Sequence, residues 1–317
     1  MARRWGGAPR RDTRSLVLAR LAALLTAASL TAMAGCAPPP LPGLDGDLTD
    51  GWGVFDEPST FVPVAGTCHR TEAASGSGRY YRPVDCDQLH RFETVHVGTF
   101  TGADAQLTIV PANTSPTRAS ARAECTARAT EFLGQAVQQG RLTLSVVLPP
   151  QAAWSTGARW FRCDLAEVTS VYLGEVAPRT GSLRGALAGD APLALRCYEP
   201  QWDSDDYLAA MEPVDCGRPH RSEFVGAYAE SDGFDYDDFN VEDDTVHERC
   251  LRMIASYAAL PVDDDLTWRI NTLYFEPSRQ EWIEGDRQVR CFLYMSELAP
   301  PLTRSAKGGG PDLLPVW

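Results

Sequence analysis

Nine cysteines constrain this chain more than any other feature. Cys36 stands alone near the start, and eight others follow: Cys68, Cys86, Cys125, Cys163, Cys197, Cys216, Cys250 and Cys291. The eight fall into two sets of four, spaced 18, 39 and 38 residues apart and then 19, 34 and 41. Other residues repeat with them. Pro83-Val84-Asp85-Cys86 returns as Pro213-Val214-Asp215-Cys216, and His90 and Glu93 return as His220 and Glu223. Each motif runs on into an aromatic and β-branched stretch with a glycine, Phe92 to Gly98 and Phe224 to Gly226. Trp154, Gly157, Arg159 and Cys163 return as Trp282, Gly285, Arg287 and Cys291. Identities kept in order at a nearly constant offset mark a tandem duplication of a unit of about 100 residues.

The start of the chain says where those cysteines reside. Six arginines precede a charge-free run from Leu21 to Ala34, which ends in Met33-Ala34-Gly35-Cys36. A run of 14 residues fits the apolar core of a signal peptide and is short of the roughly 20 needed to span a bilayer. A Cys directly after Ala-Gly resembles the lipobox of bacterial lipoproteins, with Met33 where Leu is usual. That resemblance implies a diacylated, palmitate-bearing Cys36 as the mature N-terminus; an ordinary secretory peptide is the alternative. Arg10-Arg11 raises the twin-arginine route, which the following Asp12-Thr13-Arg14 fits poorly. Export places the remaining eight cysteines in an oxidising compartment, where an even set reads as disulfides.

The order Cys, PVDCxxxHxxE, helical Cys, WxxGxRxxxC resembles the septum formation domain of actinobacterial envelope proteins, occurring twice over about residues 62–166 and 192–296. The resemblance implies a link to cell division and septum assembly, and brings no catalytic residues with it. The organisation expected is 1–35 a lipoprotein signal peptide, 36–60 a flexible tether, 61–177 a first septum-formation-like repeat, 178–191 a linker, 192–299 a second repeat and 300–317 a disordered tail.

The fold class expected is α+β: two small homologous domains, each a small antiparallel sheet packed with one helix and two disulfides. Val84 to Phe100 reads as one or two strands with a turn near Asp87-Gln88. Ser115-Pro116 is a helix start, and Ala121, Cys125, Ala129 and Phe132 then share one stripe. Val246, Cys250, Ile254 and Tyr257 form the matching stripe, with Asn240 and Asp243 as a capping box. A helical Cys facing a strand Cys favours Cys125–Cys163 and Cys250–Cys291, leaving Cys68–Cys86 and Cys197–Cys216. Four cysteines allow three pairings per unit, so the alternatives stay open.

Charge and motifs exclude several functions. Six of the 29 basic residues and one of the 42 acidic ones lie in the first 35, leaving a net charge of −18 on the rest. Such a chain repels phosphate backbones, so nucleic acid is not an expected partner. There is no GxSxG, HExxH, P-loop or Rossmann fingerprint.

The candidate shared site is His90, Glu93, Trp154 and Arg159 with His220, Glu223, Trp282 and Arg287. The His/Glu pairs read either as a metal or acid/base site or as structural groups satisfying buried backbone; on a strand they would face opposite ways, on a turn they could converge. The tryptophans read as a glycan platform or as core plugs beside a glycine turn. Arg159 and Arg287 are candidates to pair with Glu93 and Glu223. The acidic stretch from Glu230 to Asp244, like Asp203, Asp205, Asp206 and Asp263 to Asp265, reads as solvated rather than as an EF-hand. The function expected is a non-enzymatic binding or scaffolding module, lipid-anchored on the extracytoplasmic face of the cell membrane, with envelope or division proteins as partners and no cofactor. The alternatives are a metal-dependent envelope hydrolase using the His/Glu pairs and a glycan-binding module.

Overall fold

The computed structural model describes residues 60–71, 81–172, 174–189, 191–231, 233–240 and 243–316. The leader, Cys36, most of the tether, and the side chains of Asn240 and Asp243 lie outside them. Residues 60–317 form one compact unit. No helix among the described residues is long and apolar enough to cross a membrane.

The first sheet holds β1 (Thr67–His69), β2 (Phe92–Thr99), β3 (Leu142–Val147) and β4 (Trp160–Glu167), in the order β1-β2-β4-β3. The second holds β5 (Cys197–Trp202), β6 (Leu208–Val214), β7 (Ser222–Ala229), β8 (Asn271–Phe275) and β9 (Gln288–Tyr294), in the order β6-β5-β7-β9-β8. Every ladder is antiparallel. The helices are α1 (Pro116–Leu133), α2 (Gln151–Ser155), α3 (Asp243–Ala258), α4 (Leu266–Arg269), α5 (Arg279–Ile283) and α6 (Gly310–Leu313). The architecture is α+β with two antiparallel sheets, the fold class expected from the strand and helix patterning.

Local chemistry explains the elements. The Ser115 hydroxyl accepts from the Arg118 N–H, Pro116 opens α1, and Gly134 closes it at a left-handed φ of 89°. The stripe of Ala121, Cys125, Ala129 and Phe132 is buried against the sheet. The favoured disulfides are the ones formed: Cys68–Cys86, Cys125–Cys163, Cys197–Cys216 and Cys250–Cys291. In both sheets the central pair carries a bulge one residue after the position that faces the partner strand, between Thr94 and His96 and between Phe224 and Gly226. The registers make Glu93 equivalent to Glu223, and Cys163 to Cys291. They separate the glycines: Gly98 pairs with Phe161, whereas Gly226 pairs with Cys291.

The expected linker and tail are corrected by the structure. Arg179 pairs antiparallel with His90, and Leu302 with His220. Leu183, Leu187, Leu302, Ala306 and Leu314 are buried. Gly185 and Leu187 donate their N–H groups to the carbonyls of Phe132 and Leu133 at the end of α1. Both segments are straps that run back over the start of their own repeat. Their composition resembles disorder because each holds few apolar residues, but Leu183, Leu187, Leu302 and Leu314 are buried.

The repeats are packed together, and asymmetrically. β3 is an edge strand, and its outward carbonyls at Leu142, Leu144 and Val146 accept from Arg290, Arg122 and Arg118. Arg118 and Arg122 also reach into the second repeat, to Glu284 at 3.2 Å and Asp286 at 2.9 Å. The Thr143 hydroxyl donates to Glu281 at 2.8 Å. The first repeat has Ala153, Thr156 and Ala158 where the second has Glu281, Glu284 and Asp286. The junction therefore forms with one polarity, and it covers a strand edge that would otherwise template further pairing.

Candidate functional site: two buried His–Glu centres

The repeated His and Glu lie where the first strands, a disulfide and the strap meet. β1 or β5 brings its Cys opposite the Glu: Cys68 pairs with Glu93 and Cys197 with Glu223. The turn after the second Cys then delivers the His, whose Nδ1 donates to a carbonyl two residues back, Gln88 for His90 and Arg218 for His220. The strap closes the other side. Glu93 accepts from the Ser182 hydroxyl and the Leu183 N–H, both at 2.7 Å. Glu223 accepts from the Ser305 hydroxyl at 3.0 Å and the Ala306 N–H at 2.7 Å. All four His and Glu side chains are buried.

The centres then diverge. In the second repeat His220 Nε2 donates to Glu223 at 2.8 Å, and the Tyr257 hydroxyl donates to the same carboxylate at 3.0 Å. In the first repeat Phe132 occupies the helix position of Tyr257, no hydrogen bond joins His90 to Glu93, and His90 Nε2 has no hydrogen-bond partner among the described residues. Burial alone would push the His220 imidazole down. The hydrogen bonds to Glu223 and to the Arg218 carbonyl, with the Glu223 charge, outweigh burial and raise it. Both ring nitrogens face acceptors, so the imidazolium satisfies both. Burial, joined by the Glu223 charge, pushes the Tyr257 hydroxyl up to about 12, against the Ser305 hydrogen bond.

Metal chemistry fits these centres poorly. Cys68, Cys86 and Glu93 cluster, as do Cys197, His220 and Glu223. The sulfurs are in disulfides. What remains is one or two donors per centre, against the three or four protein ligands that zinc takes.

The Trp-x-x-Gly-x-Arg motif is a turn lock. Trp154 is fully buried and Trp282 nearly so. Gly157 and Gly285 take left-handed φ of 102° and 97° and donate to the Trp carbonyls. Arg159 and Arg287 then fold back, donate to the same carbonyls and stack over the indoles, 4.3 and 4.0 Å from the ring centroids. The expected pairing of these arginines with Glu93 and Glu223 does not form, because the registers place Arg159 beside Phe100 and Arg287 beside Glu230, at the far end of the central strand pair from the carboxylates. The expected solvated acidic stretch is corrected in part: Glu230 is buried and bonded to Tyr228 and Arg249, and Phe234, Tyr236 and Phe239 pack on Trp282.

The family model for septum formation matches residues 65–291 as one stretch across both repeats. This chain belongs to the septum formation family. No curated protein and no solved structure matches it. The matched span takes in both His–Glu centres and both Trp-Gly-Arg locks, and ends at Cys291, before the second strap.

The septum formation fold also forms a feature that the motifs do not announce. A cleft of about 630 Å³ lies between the repeats, lined among others by Thr143, Tyr172, Tyr236, Phe275, Glu281 and Arg290. Hydrogen bonds from Thr143 and Ser278 hold Glu281 below its ordinary range despite burial, and burial lowers Arg290 against the pull of Asp286 and Glu281. Of these residues Arg290 has an identical counterpart, Arg162; the others do not recur. The signal that could have found the straps was in the sequence: Pro178, Thr180 and Ser182 recur as Pro301, Thr303 and Ser305.

Proposed function

We propose that this septum formation protein is a non-enzymatic binding or scaffolding module, held by a lipid on Cys36 at the extracytoplasmic face of the cell membrane, with envelope or division proteins as partners. One observation carries the reading. The side chains that repeat between the two halves are engaged in internal bonds, to straps, carbonyls and each other, which is what a scaffold asks of them. Most of the residues named in the cleft vary between the halves, and its mix of aromatic rings with two carboxylates, Glu276 and Glu281, and the Arg290 guanidinium suits a protein or peptide partner. The lipid is supported by the Met33-Ala34-Gly35-Cys36 sequence.

Crosslinking of the native, membrane-bound protein followed by mass spectrometry tests it. The expected result is an acylated Cys36 peptide and crosslinks from division or envelope proteins that map around Tyr172 and Tyr236. An unacylated N-terminal peptide removes the anchor. Release of wall fragments by the purified chain, lost in His220→Ala, removes the scaffold in favour of a hydrolase.

A further inference from the structure

Arg70, Leu89, His90, Arg91 and Pro178 line a cavity of about 420 Å³ on the first repeat. Two of the five are arginines, one is a histidine and none is a carboxylate, on a chain whose net charge is −13. His90 is 1% exposed and its Nε2 has no partner among the described residues. A buried polar atom left unpaired needs a reason, and a neighbouring cavity supplies one. Arg70 gives one hydrogen bond to Gln88 at 3.2 Å, and Arg91 one to the Val176 carbonyl at 2.8 Å. Among the described residues neither guanidinium has a further hydrogen bond or ion pair.

The second repeat shows what this place looks like when filled from within. Glu199 stands where the first repeat has Arg70, and Arg221 where it has Arg91. Arg221 lies 3.7 Å from Glu199 and donates to the carbonyls of Ser296 and Ala299. His220 Nε2 is taken by Glu223. Negative charge is built in there. In the first repeat the sign at one position is reversed and the His–Glu bond is missing. Burial first, then the coulombic effects of Arg162 and His90, depress the nearby His69 imidazole to about 4.

From these residues we infer that the cavity binds an anion, and specifically the phosphate group of a phosphate ester. Two guanidinium forks and an imidazole match its several oxygens and its charge. Leu89, 59% exposed, and Pro178 give the ester's carbon side an apolar rim. Phosphate at His90 Nε2 gives that nitrogen the acceptor that Glu223 gives His220.

The chain has five histidines, so imaging ring nitrogens by NMR on the full chain is direct. Inorganic phosphate is one probe, and vesicles of phosphatidylglycerol or of phosphatidylcholine are the others. The expected result is a saturable shift of His90 Nε2, with His220 unmoved, weakened about tenfold or more in Arg70→Glu. That variant keeps the fold, because Arg70 is exposed and the second repeat carries Glu199 in its place. Response to inorganic phosphate assigns the site to soluble phosphate esters. Response to phosphatidylglycerol vesicles alone assigns it to a lipid headgroup. No movement of His90 with any probe, an equal response to phosphatidylcholine, or an unchanged titration in Arg70→Glu overturns the inference.

Discussion

The two repeats share a backbone plan and differ in what fills the layer behind it. In the first, His69, Thr94, Arg162 and Asp164 form a buried polar chain: the Thr94 hydroxyl donates to Asp164 at 2.7 Å, and Arg162 bonds the same carboxylate at 2.9 Å. In the second, the positions of His69, Thr94 and Asp164 hold Tyr198, Phe224 and Phe292, whose rings meet edge to face. The fourth, Arg290, turns instead to carbonyls of the other repeat. The same exchange is seen at smaller scale. Gly98 faces Phe161 across the first sheet, and Tyr228 faces Val289 across the second. A shared backbone plan tolerates either chemistry provided that volume and hydrogen bonding are balanced within the layer.

The largest test of this comparison concerns the buried carboxylates. Glu223 has four donors and Glu93 has two from the strap. Glu223→Ala leaves four buried donors without their acceptor and removes the partner that raises His220, and should cost about 3–5 kcal/mol. Glu93→Ala should cost about 1–3 kcal/mol. Urea unfolding of both variants measures the gap, and equal losses would show that His220 and Tyr257 add nothing.

The second test is acid sensitivity. His69 is held near 4 when folded and returns to about 6.5 when unfolded. The unfolded chain therefore binds a proton first, and stability falls as pH drops from about 6.5 towards 4, by about 3 kcal/mol at most. His220 is raised on folding, so its contribution is complete below about 6.5 and is lost as pH rises through its higher folded value. His69→Tyr, the residue of the second repeat, should flatten the acid limb of a stability-against-pH curve and leave the alkaline limb alone. An unchanged acid limb breaks the contrast.

A smaller effect comes from the cross-strand pair. A Cβ on Gly98 would lie 2.1 Å from the Phe161 ring, so Gly98→Ala should cost about 1–3 kcal/mol. The double change Gly98→Tyr with Phe161→Val, copying the second sheet, should recover much of that loss in thermal unfolding. The smallest is the junction: a double-mutant cycle on Arg122 and Asp286 should give a coupling of about 1 kcal/mol.

Much of this was legible in the residues. The cysteine spacing and the helical stripes were enough to favour the right pairing, because a disulfide fixes which helix face meets which strand. The Ser115-Pro116 start was readable because capping is local. The straps left only the faint recurrence of Pro178, Thr180 and Ser182 as Pro301, Thr303 and Ser305, since the bonds of Leu183 and Ala306 run to carboxylates more than 80 residues away in sequence. Arg118, Arg122, Glu284 and Asp286 were silent: a long-range ion pair leaves no spacing to detect, and its members do not recur in the other repeat. The divergence between His90 and His220 hid for the opposite reason, because identical motifs concealed a Phe132-for-Tyr257 exchange on a distant helix.

The second strap has a practical corollary for anyone trimming this protein. A fragment cut where the family match stops, at residue 291, would discard Ser305 and Ala306 and leave the Glu223 carboxylate open to water on one side. It would also lose Leu302 and Leu314 from the hydrophobic cluster beside α3. An expression boundary placed after Leu314 keeps the lid on.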